Sequence, residues 1–252
     1  MSVIGRNSSL STHHSALLFL HGWATDSRVW QHQIKEFSKD YEVITVDLPC
    51  YSEKDIWDKP TLRPVVGIGW SLGAAILMQA AYLNPDLFKG LILIGATPKF
   101  VADKTFPWGQ PRGVAKRMLK DIKKDFSKTT ERFYPLNFTK EELAGKEAKE
   151  FIEFYQKKGK GFSQKSVITA LEALMSFDLR DALSDINIPA LLIHGEKDNV
   201  CLVGAGKYLA KNLPDARLEI FKDAGHAPFL TRRVEFNAVV KKFLESIGYE
   251  TN

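Results

Sequence analysis

The sequence has few cysteines, no long apolar run and no repeat, and each absence excludes a class of protein. Its 252 residues contain 2 cysteines, Cys50 and Cys201, with no CxxC pair and no Cys/His cluster. A disulfide scaffold is therefore excluded, no metal site is expected, and both cysteines are predicted to be free thiols. No apolar segment approaches the roughly 20 residues that span a bilayer. Because the stretch MSVIGRNSSLSTHH also lacks an apolar signal core, we expect a cytoplasmic protein without membrane association.

The positive charge of the chain is concentrated in one segment. The whole chain has 35 Lys and Arg against 30 Asp and Glu, a formal net charge of +5. Between Arg112 and Lys165 there are 15 Lys and Arg against 8 Asp and Glu, a local net charge of +7. The rest of the chain is therefore slightly acidic. Nucleic-acid binding is disfavoured because no recognition motif accompanies the basic residues.

Short apolar runs alternate with helical patterns along most of the chain. Apolar runs of this length, bounded by turn residues, are typical of strands buried on both faces of a parallel sheet. The pattern predicts an α/β fold, a mostly parallel sheet with helices on both faces. The predicted strands lie at ALLFLHGW (16–23), YEVITVDLP (41–49), VVGIGW (65–70), GLILIGAT (90–97), PALLIHG (189–195) and RLEIF (217–221).

One long segment interrupts this alternation. From residue 101 to residue 178 the sequence is helical, basic and aromatic, with no comparable apolar run. We therefore predict an α/β core in two parts, residues 1–100 and 179–252, with a helical cap inserted at 101–178. Such a cap would cover the carboxyl ends of the strands, where open α/β sheets bind ligands.

The stretch GIGWSLGAAI (67–76) places Ser71 where a predicted strand becomes a predicted helix. A sharp strand-to-helix corner strains the backbone, and side chains at the flanking positions, here Gly69 and Gly73, would collide with neighbouring backbone. The corner would expose the serine hydroxyl, and the helix start would offer free N–H groups to a developing oxyanion. The pattern predicts a nucleophilic serine. The alternative is a helix-capping serine between packing glycines.

A serine nucleophile needs a base, and the base needs an orienting acid. His226, in DAGHAPF, follows the sixth predicted strand, and Asp198, in HGEKDNV, follows the fifth. The chain order Ser71, Asp198, His226 is the order found in folds with this serine corner. Asp178 in SFDLRDAL is a rival acid, although it also suits the start of a helix. Exchanging each aspartate for asparagine would distinguish them.

An oxyanion hole needs two backbone donors. The N–H of Leu72 directly follows the proposed nucleophile, and the loop after the first strand, LHGW, offers the N–H of Trp23. A packing tryptophan at a strand end would account for LHGW equally well, and the two interpretations are compatible.

These segments together resemble a known family. LHGW, VDLP, GWSLG, TTERF, FDLRDAL, HGEKDNV and AGHAPFLTRRVEF are similar to the α/β-hydrolase superfamily, and within it to the pimeloyl-[acyl-carrier protein] methyl ester esterases of biotin synthesis. The resemblance implies the α/β-hydrolase fold and no cofactor. It also implies that Ser71, Asp198 and His226 are nucleophile, acid and base, and that Trp23 and Leu72 are the oxyanion donors.

The resemblance further implies a partner, an acidic acyl carrier protein that docks on basic residues of the cap. Two of these match Lys128 and Arg132 in KTTERF, and a looser match falls on Lys146 and Lys149. Phe133 would line the acyl channel beside the oxyanion residues. The local charge of +7 in the cap would then speed and orient the encounter with the carrier. A solvated helical face is the alternative explanation of the charge.

One segment departs from the family pattern. Cys50, Tyr51 and Ser52 stand where relatives have glycines, and the 15 residues 50–64 join the second predicted strand to the third. Because a parallel crossover needs a dozen or more residues, any helix there should be very short or absent.

The residues predict a serine carboxylesterase, which we expect to be monomeric, and the resemblance implies that its substrate is the methyl ester of pimeloyl-[acyl-carrier protein]. Two alternatives stay open. The protein would be a generalist carboxylesterase or thioesterase for small free substrates if the charge of the cap were incidental. It would be a non-catalytic binding protein if the triad did not assemble, although all three members are present in the sequence.

Overall fold

A computed structural model describes residues 15–47, 64–158 and 163–249 of the chain. Its centre is a six-stranded sheet in the order β2-β1-β3-β4-β5-β6, in which every pairing is parallel. Each strand lies within or overlaps a predicted apolar run, so the predicted parallel α/β architecture is confirmed. The strands are β1 Ala16–Leu20, β2 Glu42–Val46, β3 Val65–Trp70, β4 Phe88–Ile94, β5 Ala190–Gly195 and β6 Ala216–Phe221.

In the described residues, helices follow β1, β3, β5 and β6 and fill the segment between β4 and β5. None of the described helices is long and apolar enough to cross a membrane. The α-helices are α1 Gln31–Phe37, α2 Leu72–Leu83, α3 Arg112–Lys124, α4 Phe126–Phe133, α5 Lys140–Leu143, α6 Lys146–Lys158, α7 Gln164–Ser176, α8 Val203–Asn212, α9 Pro228–Thr231 and α10 Arg233–Ser246. We use the name helical cap for α3 to α7. The domain boundaries at 101 and 178 stay a prediction.

The four central strands, β1, β3, β4 and β5, are buried on both faces because they are apolar at successive positions. In β1, Leu17 and Phe19 join one apolar cluster, and Leu18 and Leu20 join a second cluster. Alternate side chains of a strand point to opposite faces, so the two clusters are the two layers between sheet and helices. The first layer extends into the helical cap and includes Phe133. The cap is therefore packed onto the core through apolar contacts.

The strand register brings the carboxyl ends of the strands to one edge. Leu20 in β1 pairs with Gly69 in β3, and Trp70 in β3 pairs with Ile94 in β4. The loops after β1, β3, β5 and β6 therefore leave the sheet on the same side. These loops and the first residue of α2 carry every residue predicted for the triad and the oxyanion hole.

Some predictions fall outside the described residues. They concern the thiol of Cys50 and the crossover 50–64, of which the structure describes only Pro64. Cys201 is described, and it is a free, buried cysteine.

Candidate active site

Ser71 occupies a strained corner between β3 and α2. Its backbone has φ of 55° and ψ of −110°, a positive φ that few residues other than glycine adopt. A Cβ atom on Gly69 would lie 2.6 Å from the carbonyl carbon of Gly73, and one on Gly73 would lie 2.3 Å from the carbonyl oxygen of Leu20. The predicted collision at the flanking positions is confirmed, because only glycines let the start of α2 approach the sheet this closely.

Asp198 and His226 form a buried hydrogen-bonded pair. His226 Nδ1 lies 2.6 Å from Asp198 Oδ2, and both side chains are almost fully buried. Asp198 Oδ1 accepts hydrogen bonds from the backbone N–H groups of Val200 at 2.8 Å and Cys201 at 2.9 Å. Burial acts to raise the pKa of Asp198, but His226 and the other donors outweigh it and lower that pKa. The carboxylate is therefore ionised and accepts a hydrogen bond from the Nδ1–H group of His226.

The imidazole of His226 lies between Trp70 and Gly95. Trp70 donates from its indole Nε1 to the carbonyl oxygen of His226 at 2.9 Å, and the two rings lie 5.4 Å apart. Gly95 has φ of 54°, and a Cβ atom on it would lie 2.6 Å from Cε1 of the imidazole. His226 Nε2 is buried and has no hydrogen-bond partner among the described residues, the Ser71 hydroxyl included. Hydrogen bonds of this kind often tighten only when substrate binds.

A second buried imidazole lies beside the acid. His194, near the end of β5, has Nε2 2.6 Å from the carbonyl oxygen of Cys201 and 3.4 Å from Asp198 Oδ2. Burial lowers the pKa of His194, so we assign it as neutral, with Nε2–H donating to that carbonyl. His194 therefore stabilises the loop that carries Asp198 through its hydrogen bond to Cys201. The sequence analysis did not identify His194 as part of the site.

Asp178, the rival acid, lies in a separate network of charges. Its oxygens lie 2.5 Å from Lys99 Nζ and 2.8 Å from Arg180 Nε. The hydrogen bonds from Arg180 and Lys99 lower the pKa of Asp178 to about 2 despite partial burial. The structure thus joins Asp198, and not Asp178, to His226.

The two residues predicted for the oxyanion hole lie at the same edge of the sheet. Leu72 is the first residue of α2, so its N–H belongs to the four donors that have no acceptor within the helix. Trp23 follows β1, and its indole Nε1 donates to the carbonyl oxygen of Val167 in α7 at 2.8 Å. The rings of Trp23 and Phe133 meet edge to face at 4.8 Å. Trp23 and Phe133 therefore meet where the helical cap contacts the core.

The basic residues predicted to dock a carrier protein are exposed. Lys128 and Arg132 lie four residues apart on α4, and thus on one side of the helix. Lys146 and Lys149 lie on α6, where Lys146 pairs with Glu150 at 3.6 Å and Lys149 Nζ donates to the carbonyl oxygen of Ala144. Lys128 and Arg132 are therefore more available to an external partner than Lys146 and Lys149 are.

Comparison with known proteins identifies the family. The model of the alpha/beta hydrolase family matches residues 17–239. The chain belongs to the alpha/beta hydrolase family. This α/β-hydrolase is 31% identical over 242 residues to the pimeloyl-[acyl-carrier protein] methyl ester esterase of Vibrio parahaemolyticus, covering 91% of this chain and 94% of that protein. It is 29% identical over 236 residues to the protein of the same name from Nitrosomonas europaea, covering 87% and 92% respectively.

Solved structures show the same fold. An esterase from Exiguobacterium antarcticum superposes with a TM-score of 0.83 at 24% identity, covering 92% of both chains. A hydrolase from Oleispira antarctica superposes with a TM-score of 0.81 at 22% identity, covering 92% of this chain and 91% of that one. At these identities the likeness concerns the fold of the α/β-hydrolase alone.

Proposed function

We propose that this α/β-hydrolase is a serine carboxylesterase that hydrolyses the methyl ester of pimeloyl-[acyl-carrier protein] in biotin synthesis. One observation supports the chemistry above all: His226 Nδ1 lies 2.6 Å from the carboxylate of Asp198, while its Nε2 has no partner among the described residues. The imidazole is therefore oriented, with a basic nitrogen unused, near the strained corner of Ser71. The substrate is inferred from the names of the relatives and from the charge of the helical cap.

In the acylation step, Ser71 Oγ attacks the ester carbonyl carbon while His226 Nε2 takes the hydroxyl proton. Asp198 keeps the other ring proton on Nδ1 and stabilises the imidazolium cation. The carbonyl oxygen becomes an oxyanion that receives hydrogen bonds from the N–H groups of Leu72 and Trp23. Each such donor typically lowers the barrier by about 3 kcal/mol. The tetrahedral intermediate then expels methoxide, which leaves as methanol with the proton from His226.

The deacylation step uses the same groups on water. His226 Nε2 takes a proton from a water molecule, and the hydroxide attacks the carbonyl carbon of the acyl-enzyme. The bond to Ser71 Oγ breaks, and the oxygen recovers its proton from His226. The products are the free carboxylic acid and the original enzyme. This chemistry needs no metal or organic cofactor.

The substrate chain would enter between core and cap. Trp23 is fixed by its hydrogen bond to Val167 of α7, and Phe133 of α4 packs on its ring. Two aromatic surfaces beside the oxyanion donors suit an aliphatic acyl chain, because burying its methylene groups is favourable by roughly 0.8 kcal/mol each. We propose that Phe133, Trp23 and Leu72 bind the acyl chain next to the reacting carbonyl.

The basic face of α4 would receive the carrier protein. Lys128 and Arg132 are exposed on α4, the helix that also supplies Phe133. A carrier docked on this face would lie near the proposed acyl channel. Complementary charge mainly raises the rate of encounter, and the effect weakens as salt screens it. We assign a weaker docking role to Lys146 and Lys149, which already have partners within the chain.

The nucleophile is tested by covalent labelling. A fluorophosphonate probe should attach to Ser71 in the wild-type protein, as located by peptide mass spectrometry, and Ser71→Ala should neither label nor hydrolyse esters. Labelling at another serine, or unchanged hydrolysis by Ser71→Ala, would refute the assignment.

The docking face is tested by charge reversal with a matched control. Lys128→Glu with Arg132→Glu should lower kcat/KM on the carrier-bound methyl ester by about tenfold or more at low salt. The value of kcat/KM on free dimethyl pimelate should not change. Lys207→Glu with Lys211→Glu makes the same change of charge, four residues apart, on exposed positions of α8. This control should leave both rates near wild type. Equal effects of the two double variants would reject a specific docking face.

A further inference from the structure

The loop that carries His226 is bound to the helical cap through two consecutive backbone N–H groups. The N–H of His226 donates to the carbonyl oxygen of Asn137 at 2.8 Å. The N–H of Gly225 donates to Glu142 Oε2 at 3.0 Å. Asn137 and Glu142 lie on either side of the start of α5. The backbone that positions the proposed base is therefore held from the cap as well as from the core.

Glu142 makes more contacts than the capping of α5 requires. Its Oε2 accepts from the N–H of Thr139 at 2.9 Å, which completes a capping box with the Thr139 hydroxyl. That local role is common at helix starts. The same carboxylate also accepts from Gly225 N–H, and its Oε1 accepts from the Thr231 hydroxyl at 2.6 Å. Glu142 thus joins the cap to the chain both before and after His226.

The close approach of cap and loop depends on a glycine. A Cβ atom on Gly225 would lie 2.7 Å from the carbonyl oxygen of Asn137 and 2.9 Å from Glu142 Oε2. Contacts that short do not occur with a real side chain, so any larger residue would push the loop away from the cap. The absence of a side chain immediately before His226 allows the two hydrogen bonds to form.

We propose that Glu142 is a positioning residue that holds the loop of His226 so that the imidazole stays on Asp198 and faces Ser71. This inference rests on the proposed function, because it assigns His226 as the base. Hydrogen bonds to a carboxylate are stronger than those to a neutral acceptor. Glu142 is therefore well suited to hold its three donors, the N–H groups of Thr139 and Gly225 and the hydroxyl of Thr231. Its effect would fall on the chemical step and not on the binding of a small ester.

A purely structural role predicts a different result. If Glu142 only capped α5, its loss would lower the stability of the protein, and the folded enzyme would keep its turnover number. If it positions His226, its loss lowers the turnover number of the folded enzyme. Turnover must therefore be expressed per active site. The active sites are counted by the amount of fluorophosphonate probe that attaches to Ser71, and kcat and KM are determined separately.

The experiment compares three changes at Glu142 with a control at its neighbour, using p-nitrophenyl butyrate as substrate. Glu142→Ala should lower kcat about tenfold, as a small displacement of a catalytic group does, with KM within about twofold. Glu142→Gln should restore most of kcat, because its amide oxygen accepts from the backbone N–H groups and its NH₂ donates to Thr231. Glu141→Ala, which removes a charge from the adjacent exposed position, should match wild type.

Glu142→Asp keeps the charge and a helix-capping carboxylate but is one methylene too short for the contacts to Gly225 and Thr231. Its kcat should fall as much as that of Glu142→Ala. If the alanine variant does not fold, kcat of Glu142→Asp tests whether Glu142 positions His226. A kcat per active site within about twofold of wild type in Glu142→Asp or a folded Glu142→Ala would overturn the inference, whatever their stability. Absence of Ser71-dependent turnover in the wild type would instead refute the proposed function itself.

Discussion

Replacing Asp198 by asparagine should inactivate the enzyme by changing which nitrogen of His226 carries the proton. Asp198 Oδ1 accepts two backbone N–H groups, and Oδ2 faces His226 Nδ1. To keep the two backbone hydrogen bonds, the asparagine must place its oxygen at the Oδ1 position and its NH₂ group against Nδ1. Nδ1 must then accept, so the ring proton moves to Nε2, which can no longer take the proton of Ser71.

The opposite orientation of the amide is disfavoured. It would set the NH₂ group against the N–H groups of Val200 and Cys201 and leave buried donors unpaired, at a cost of about 1–3 kcal/mol each. We therefore expect Asp198→Asn to lower kcat about 10⁴-fold, as the wrong tautomer does in other triads, which raises the barrier by about 5 kcal/mol.

The assay is the initial rate on p-nitrophenyl butyrate, with thermal unfolding measured alongside and Asp178→Asn as the matched control. The control should retain wild-type turnover, because Asp178 is engaged by Lys99 and Arg180. Turnover by Asp198→Asn within about tenfold of wild type would refute the tautomer argument. Loss of turnover in Asp178→Asn alone would make Asp178 the acid instead.

Two further changes test the packing and the charges around the site. Gly95→Ala would put a Cβ atom 2.6 Å from Cε1 of His226, on a residue whose backbone φ is 54°. Because the imidazole must then move, we expect kcat to fall at least about tenfold. A kcat within about twofold of wild type would contradict this. Asp178→Asn removes an ion pair with Lys99 at 2.5 Å and should cost about 1 kcal/mol of unfolding free energy at pH 7 after allowance for solvent screening. Because the pKa of Asp178 is lowered to about 2, that stabilisation is present above about pH 4 and is lost as the pH falls through 2. Urea unfolding at pH 7 and pH 2 measures the difference, and an equal cost at both pH values would count against the ion pair.

The parts of the site that the sequence predicted are those fixed by local chain geometry. A strand running into a helix, with glycines two residues either side of a serine, allows few backbone arrangements, and the corner at Ser71 was predicted from that pattern. Asp198 and His226 each follow a strand, and parallel strands end at one edge, so their proximity followed from topology.

The parts that the sequence did not predict depend on contacts between distant segments. Glu142 has the sequence pattern of an ordinary capping box, and nothing local indicates that its carboxylate also reaches Gly225 and Thr231. His194 and Trp70 likewise owe their roles to what packs against them in the folded chain. Capping propensity and strand pattern constrain a few neighbouring residues, whereas these contacts require the arrangement of the cap on the core.

The most direct test of the account compares a carrier-bound ester with a free one. The initial rate of methyl ester cleavage should be measured on pimeloyl-[acyl-carrier protein] methyl ester and on dimethyl pimelate, at low and high salt, with Ser71→Ala as control. We predict a large preference for the carrier-bound ester that shrinks at high salt and a complete dependence on Ser71. Equal and salt-insensitive rates would contradict the carrier-directed function and leave a generalist esterase, and the absence of any Ser71-dependent rate would contradict catalysis altogether.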